Sequence, residues 1–275
     1  MTFDAPLNGV FKDQILDKMP SMSENNLRLS SPPIVEAVVD IDCDMPVNFN
    51  LLTLEAEARS AFGDRYPIFQ TQVVEQHQFE PNTDGPAKHR RIRQIQAFQF
   101  RQVDKNQLVQ VRTQGFSFNR LAPYSNLDDY VMEIERTWSL FVDLTAPIQV
   151  KGIRLRYINR LNLPLRGGAL ETTDFLRISP QLPEQSNLEF SGFLHQHSAV
   201  EKGTGNQANI VLASQQIEGS ALPMIFDIGV YHAEYGKIEN WGWIVEQIMS
   251  LRSLKNRIFE NTLTESCLNL YRNLG

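Results

Sequence analysis

The stretch that decides the fold is RRIRQIQAFQFRQ, residues 90–102. Phe98 and Phe100 share one parity with Ile92, Gln94 and Gln96, while Arg91, Arg93 and Arg101 occupy the other. Side chains alternate faces along a strand, so this pattern predicts a strand with one packed and one wet face. One-sided burial favours antiparallel over parallel pairing. Two further strands flank it, at about 67–79 (PIFQTQVVEQHQF) and, beyond the turn Asp104-Lys105-Asn106, at about 107–119 (QLVQVRTQGFSFN). The β-branched IVEAVVDI, residues 34–41, starts the series. The three-to-four spacing of Leu51, Leu54, Ala58 and Phe62, stopped by Gly63, predicts a short helix. Ser125 or Asn126 caps a second helix over about 127–143, which ends before Pro147.

The order then repeats. IQVKGIRLRYINRLNL (148–163) is a long strand and ETTDFLRI (171–178) a short helix after Gly167-Gly168. Strands follow at about 187–199, 207–217 and 223–234, with turns at Gly203-Thr204-Gly205 and Glu218-Gly219-Ser220. A single helix is expected from Trp241 to Tyr271. The expected fold is therefore α+β, with predominantly antiparallel sheet, a few packed helices and a pseudo-duplicated strand–helix–three strands–helix unit. It would comprise a flexible leader (1–31), an N-terminal half (32–146) and a C-terminal half (147–275) with a long terminal helix, the halves fused into one body. At about 150 residues per domain, 275 residues correspond to about 1.8 domains, which suits such a fusion. Strands do not alternate singly with helices, which argues against a dinucleotide-binding α/β sheet.

Composition narrows the function classes. With 42% hydrophobic and 21% charged residues the chain can build a core. Lys+Arg 26 against Asp+Glu 32 give a net charge of -6, which disfavours a nucleic-acid partner. Two cysteines, Cys43 and Cys267, are too few for a disulfide framework or a zinc cluster. Asp4, Lys12, Asp13 and Asp17 interrupt any signal-peptide core, and no apolar run is long enough for a membrane span, so the expected location is cytoplasmic.

Four segments together carry a resemblance. They are PPIVEAV (32–38), GFSFNRLAPY (115–124), RYINRL (156–161) and LKNRIFE (254–260) followed by Thr264-Glu265. In order and spacing the chain resembles a sporadically distributed bacterial family of uncharacterised function, departing from it at Ser253, where a histidine is common. The resemblance implies an accessory protein of a mobile or defence-associated locus. It carries over no catalytic residue and no cofactor.

The residues themselves offer one main constellation. Period-2 geometry puts Arg154, Arg156 and Arg160 on one strand face, at about 7 Å steps, and Tyr157 and Asn159 on the other. Guanidiniums so spaced suit a phosphorylated ligand or an acidic partner surface; the plainer alternative is a solvated face with its charges paired. Arg120 closes the central motif. Arg120, Arg154, Arg156, Asn159 and Arg160 are thus the candidate ligand- or partner-binding residues. A buried Asn159 would need hydrogen-bond partners, and is expected to hold backbone in a neighbouring loop. Glu36 and Asp40 share a face and could do acid–base work, although pairing with arginines is the simpler reading. His195 and His197, with His232 and Glu234 one or two strands away, have metal-ligand chemistry but no accompanying motif. Trp241 and Trp243 read as core anchors. Nucleophile elbows and phosphate loops do not occur. The expectation is a non-enzymatic accessory protein that binds a partner protein encoded nearby, without metal or cofactor. The alternative is an enzyme or binder acting on a phosphorylated or nucleotide ligand through the arginine-bearing face.

Overall fold

The computed structural model describes residues 29–80, 88–165, 171–178 and 192–272. The chain opens with β1 (Ile34–Asp44). A 3-10 turn (Leu51–Leu54) leads into α1 (Glu55–Phe62), and then come β2 (Ile68–Glu80), β3 (Lys88–Arg101), β4 (Gln107–Arg112) and β5 (Gly115–Leu121). A second 3-10 turn (Leu127–Asp129) precedes α2 (Val131–Thr145). The later part holds β6 (Gln149–Pro164), α3 (Thr172–Phe175), β7 (Leu194–Val200), β8 (Gln207–Ser214), β9 (Ala221–His232), α4 (Trp241–Thr262) and α5 (Glu265–Arg272).

All these strands join one nine-stranded sheet in the order β2-β3-β4-β5-β1-β6-β9-β8-β7, antiparallel at each pairing. The fold is α+β, as the alternation predicts. β1 and β6 lie side by side at the centre, with Val38 opposite Arg156 and Asp40 opposite Arg154. From each central strand the chain leaves through a helix and returns by a meander whose last strand, β5 or β9, pairs with that central strand. The two halves therefore share a continuous sheet.

Alternation separates the faces. Val39 and Ile41 of β1, Phe116 and Phe118 of β5, Leu155 and Tyr157 of β6, and Phe226 and Ile228 of β9 are buried together with residues of α2 and α4, among them Trp138, Phe141, Ile244 and Leu251. The opposite parity, Glu36, Asp40, Arg154 and Arg156, lies on the other, open face.

The structure corrects four expectations. The strand expected at 107–119 is a hairpin, β4 and β5, turning at Thr113-Gln114, so the first meander has four strands and the second three. Gly115 makes the turn with φ 142°, and a Cβ there would stand 2.1 Å from the Ile41 carbonyl oxygen. A bulge at Gln96 places Ala97 opposite Gln72 but Ile95 opposite Val73. Parity slips there, so Ile95 packs on the core side with Phe98 while Gln96 is exposed. The terminal helix breaks at Leu263-Thr264: Leu263 is extended (φ -95°, ψ 146°) and bridges Leu176, and Thr264 Oγ1 accepts from Cys267 N (3.3 Å) to start α5. The helix expected at 127–143 begins with a 3-10 turn capped by Asn126, and α2 follows. Of the expected leader only its end is described: Ser31 N donates to Tyr271 O (3.1 Å) and Leu29 packs on the core. The Gly167-Gly168 turn and residues 187–191 of an expected strand lie outside the described residues.

Candidate functional site

The open face is a mosaic of paired side chains. Arg156 binds Asp227 of β9 in a fork, Nε to Oδ1 at 2.9 Å and a terminal nitrogen to Oδ2 at 2.5 Å. That pairing holds its pKa above the ordinary arginine value, with Glu36 and Asp40 adding to the effect. Arg160 donates to both oxygens of Glu218 (2.7 Å each), and Arg154 lies over the Tyr231 ring, 5.3 Å from its centroid. The arginines are collinear on β6 but do not converge, because each leans toward its own neighbour. The carboxylates of β1 are engaged too. Ser117 donates to Asp40 (2.5 Å), Arg112 to Asp42 (2.8 Å) and Asn119 Nδ2 to Glu36 Oε1 (2.7 Å).

Asn119 also ends a chain of amides that crosses the strands. Gln99 Nε2 donates to Gln72 (3.2 Å) and to Gln110 (3.1 Å), and Gln110 Nε2 donates to Asn119 Oδ1 (3.0 Å). Side chains that hold one another in this way fix the face as a rigid polar surface. Two recesses lie at its margins. One, about 950 Å³, lies between the Phe49–Leu52 turn and the β2–β3 bulge and is lined from both faces of the sheet, by Thr71, Val73, Ile95 and Arg93 as well as Arg112; the other, about 420 Å³, opens on the open face beside Arg160, Gln215 and Glu218.

Arg120 and Asn159 are on the helix-covered face, so the five expected residues do not form a single site. Arg120 stacks over Tyr130 (5.0 Å) and donates to Pro123 O (3.0 Å). Asn159 is buried, as a partnered amide should be, and its Nδ2 donates to Phe226 O at 2.9 Å; what it holds is the neighbouring strand β9, not a loop. Beside them is a cluster with no counterpart among the expected site residues. The Tyr124 and Tyr157 hydroxyls share a hydrogen bond (2.8 Å), and Lys255 of α4 places Nζ 4.1 Å from the Tyr157 ring centroid. Burial, and then the like charge of Arg252, push the Lys255 pKa down to about 7, against the pull of Glu260. Burial likewise pushes Tyr157 up to about 12. Arg252, one turn before Lys255, ties α4 to the loop after β5 through Asp128 (2.8 Å) and Asn126 (2.9 Å). Sequence reading missed Lys255 as a buried group, although the signal was present. It continues the buried positions Ile244, Ile248 and Leu251 toward Phe259 at helical spacing.

The remaining candidates separate. His195 and His197 lie against each other with their rings tilted by 52° (4.3 Å between centroids), whereas His232 bonds Asn206 (2.8 Å) and Glu234 (2.9 Å). Among the described residues no group of three or more His, Cys, Asp or Glu side chains is placed to hold a metal ion. Trp241 and Trp243 pack partly buried against the core. Cys43 and Cys267 are buried thiols, each pushed up to about 12 by burial. Among the described residues no helix is long and apolar enough to cross a membrane. No family model matches the chain, and no curated protein matches it.

Proposed function

We propose that the chain is a non-catalytic interaction protein that binds a partner protein across the open face of its sheet. The observation that carries this reading is the commitment of the arginines: Arg156 to Asp227, Arg160 to Glu218 and Arg154 to Tyr231. A small anion would have to displace a paired carboxylate, and stripping the mostly buried Asp227 of its partner would cost about 1–3 kcal/mol, while the exposed Glu218 would return to water at little cost. A folded surface can instead dock on the mosaic as it stands, matching fixed charges of both signs. The resemblance points to products of neighbouring genes as the partners to try.

The test is co-expression of the tagged chain with those products. Arg154→Glu reverses an exposed charge at the centre of the face. It should abolish co-purification while the chain stays folded, with a melting temperature a few degrees lower at most, since the Tyr231 contact is lost and the new carboxylate faces Asp40. Co-purification that survives the reversal would overturn the reading. A phosphorylated ligand is the second reading, favoured by the buried, unpartnered Nε of Arg160 beside the smaller recess. Calorimetric binding of inorganic pyrophosphate that Arg160→Ala removes and Arg154→Glu preserves would support it.

A further inference from the structure

The two edges of the sheet are built differently. β2 is bent where the Gln96 bulge of β3 breaks its register, and it carries a charge, Glu75, both of which discourage pairing with another chain. β7, Leu-His-Gln-His-Ser-Ala-Val, has no bulge, Lys, Arg, Asp, Glu, Pro or Gly. Pairing with β8 runs from Leu194 opposite Ala213 to Val200 opposite Gln207. The ladder continues through Ser214 N to Phe193 O (3.1 Å) and Glu201 N to Asn206 O (2.8 Å). In an antiparallel pair the bonded residues alternate, so Leu194, Gln196, Ser198 and Val200 turn their backbone N–H and C=O groups away from β8. Among the described residues nothing pairs with them. Leu194 and Val200, at the two ends of this row, are 71% and 67% exposed.

We propose that β7 pairs with β7 of a second copy of the chain, antiparallel about a two-fold axis at His197, so that the sheet continues from one copy into the next. The strand is complementary to itself in that register. Leu194 faces Val200 of the other copy and Gln196 faces Ser198, so apolar meets apolar and polar meets polar on the same face. All the outward backbone groups of both strands are satisfied, and no like charges oppose each other. A two-fold contact of this kind is closed, which limits growth to a dimer. The inference is independent of the proposed partner-binding face, which such a dimer would display twice.

The test uses the full chain, with mass measured by light scattering from about 1 to about 100 µM, where a contact of this limited size should associate. Wild type should approach twice the monomer mass. Ser198→Pro removes an N–H that the β8 ladder does not use, so it should halve the mass without unfolding the chain. Leu194→Lys, at an exposed position, should do the same if proline disturbs the strand. His197→Cys reads the register directly. Its sulfur faces its own copy across a non-hydrogen-bonded pair about 4.5 Å apart at Cα, within disulfide reach, and mild oxidation should cross-link the dimer. Gln196→Cys, opposite Ser198, should not cross-link; Cys43 and Cys267 are buried and do not compete. A wild type that stays monomeric throughout, a dimer indifferent to Ser198→Pro and Leu194→Lys, or equal cross-linking at 196 and 197 would overturn the proposal.

Discussion

Lys255→Met should make the protein more stable at neutral and acidic pH, and the gain should disappear in alkali. The lysine is 8% exposed, and its ammonium meets the Tyr157 ring face. Its folded pKa of about 7 lies well below the roughly 10.4 of an unfolded lysine. Each tenfold loss of proton affinity is worth about 1.4 kcal/mol, so holding the charged form inside costs about 5 kcal/mol. That figure is net, with whatever the ring face returns already contained in it. Methionine keeps the unbranched stem and brings no charge. Between pH 7 and about 10.4 the unfolded chain binds the proton and the folded chain does not, so this group makes wild-type stability rise with pH through that window. The variant lacks that slope. Urea or thermal unfolding of both proteins at pH 6.5 and 9.5 should show the variant ahead by about 4 kcal/mol at the lower pH, roughly 8–16 °C, and by about 1 kcal/mol at the higher. Other titrating groups are common to both proteins and drop out of the difference. A variant less stable than wild type at pH 6.5, or an advantage equal at both pH values, would refute the account of Lys255 as a buried, proton-reluctant group.

Two further outcomes follow from backbone and hydroxyl geometry. Gly115→Ala combines left-handed backbone strain with a Cβ 2.1 Å from the Ile41 carbonyl oxygen, so β5 must shift off β1. The expected loss is more than about 3 kcal/mol in urea unfolding, and a loss below about 1 kcal/mol would contradict the geometry. Tyr124→Phe and Tyr157→Phe each strand one buried hydroxyl, at about 1 kcal/mol, whereas the double variant removes both. The double should cost about as much as either single, and strictly additive losses would show that the hydroxyls do not interact.

Strand parity made much of the fold legible. The alternation in RLRYINRL fixed which side of β6 is buried, and Glu36, Val38 and Asp40 do share a face. Events that break period without changing composition were not legible. Thr113-Gln114 turns between two equally strand-like runs, and the Gln96 bulge is a slip against β2 that β3 alone cannot reveal. The break after Thr262 is tertiary: Leu263 keeps the apolar rhythm of a helix but pairs with Leu176, a residue far away in sequence. The arginine face was half legible. Its side could be read from spacing, but its partners, Asp227 and Glu218, lie 71 and 58 residues along the chain, and only the sheet order brings them beside Arg156 and Arg160.

The four resemblance segments meet at one place, and their meeting explains why they look like a site without enclosing one. Pro33 O accepts from Arg160 N (2.8 Å) and Val35 O from Ala122 N (3.0 Å), so the start of β1 is clasped by the segments around Tyr124 and Tyr157. Those tyrosines bond each other, and Lys255 of the last segment lies on the Tyr157 ring. This cluster fastens α4, from the second half, onto the loop after β5, from the first, beside the central β1–β6 pair. A joint between halves needs exact contacts, because slip at β1–β6 would turn every side chain of one half onto the wrong face. Packed apolar residues alone would fasten α4 more tightly, as the Lys255→Met argument implies. In the observed docking the lysine's charge is met by the Tyr157 ring and by the pull of Glu260, while Arg252 is held away on Asn126 and Asp128, so a shifted α4 would leave the ammonium buried without that compensation.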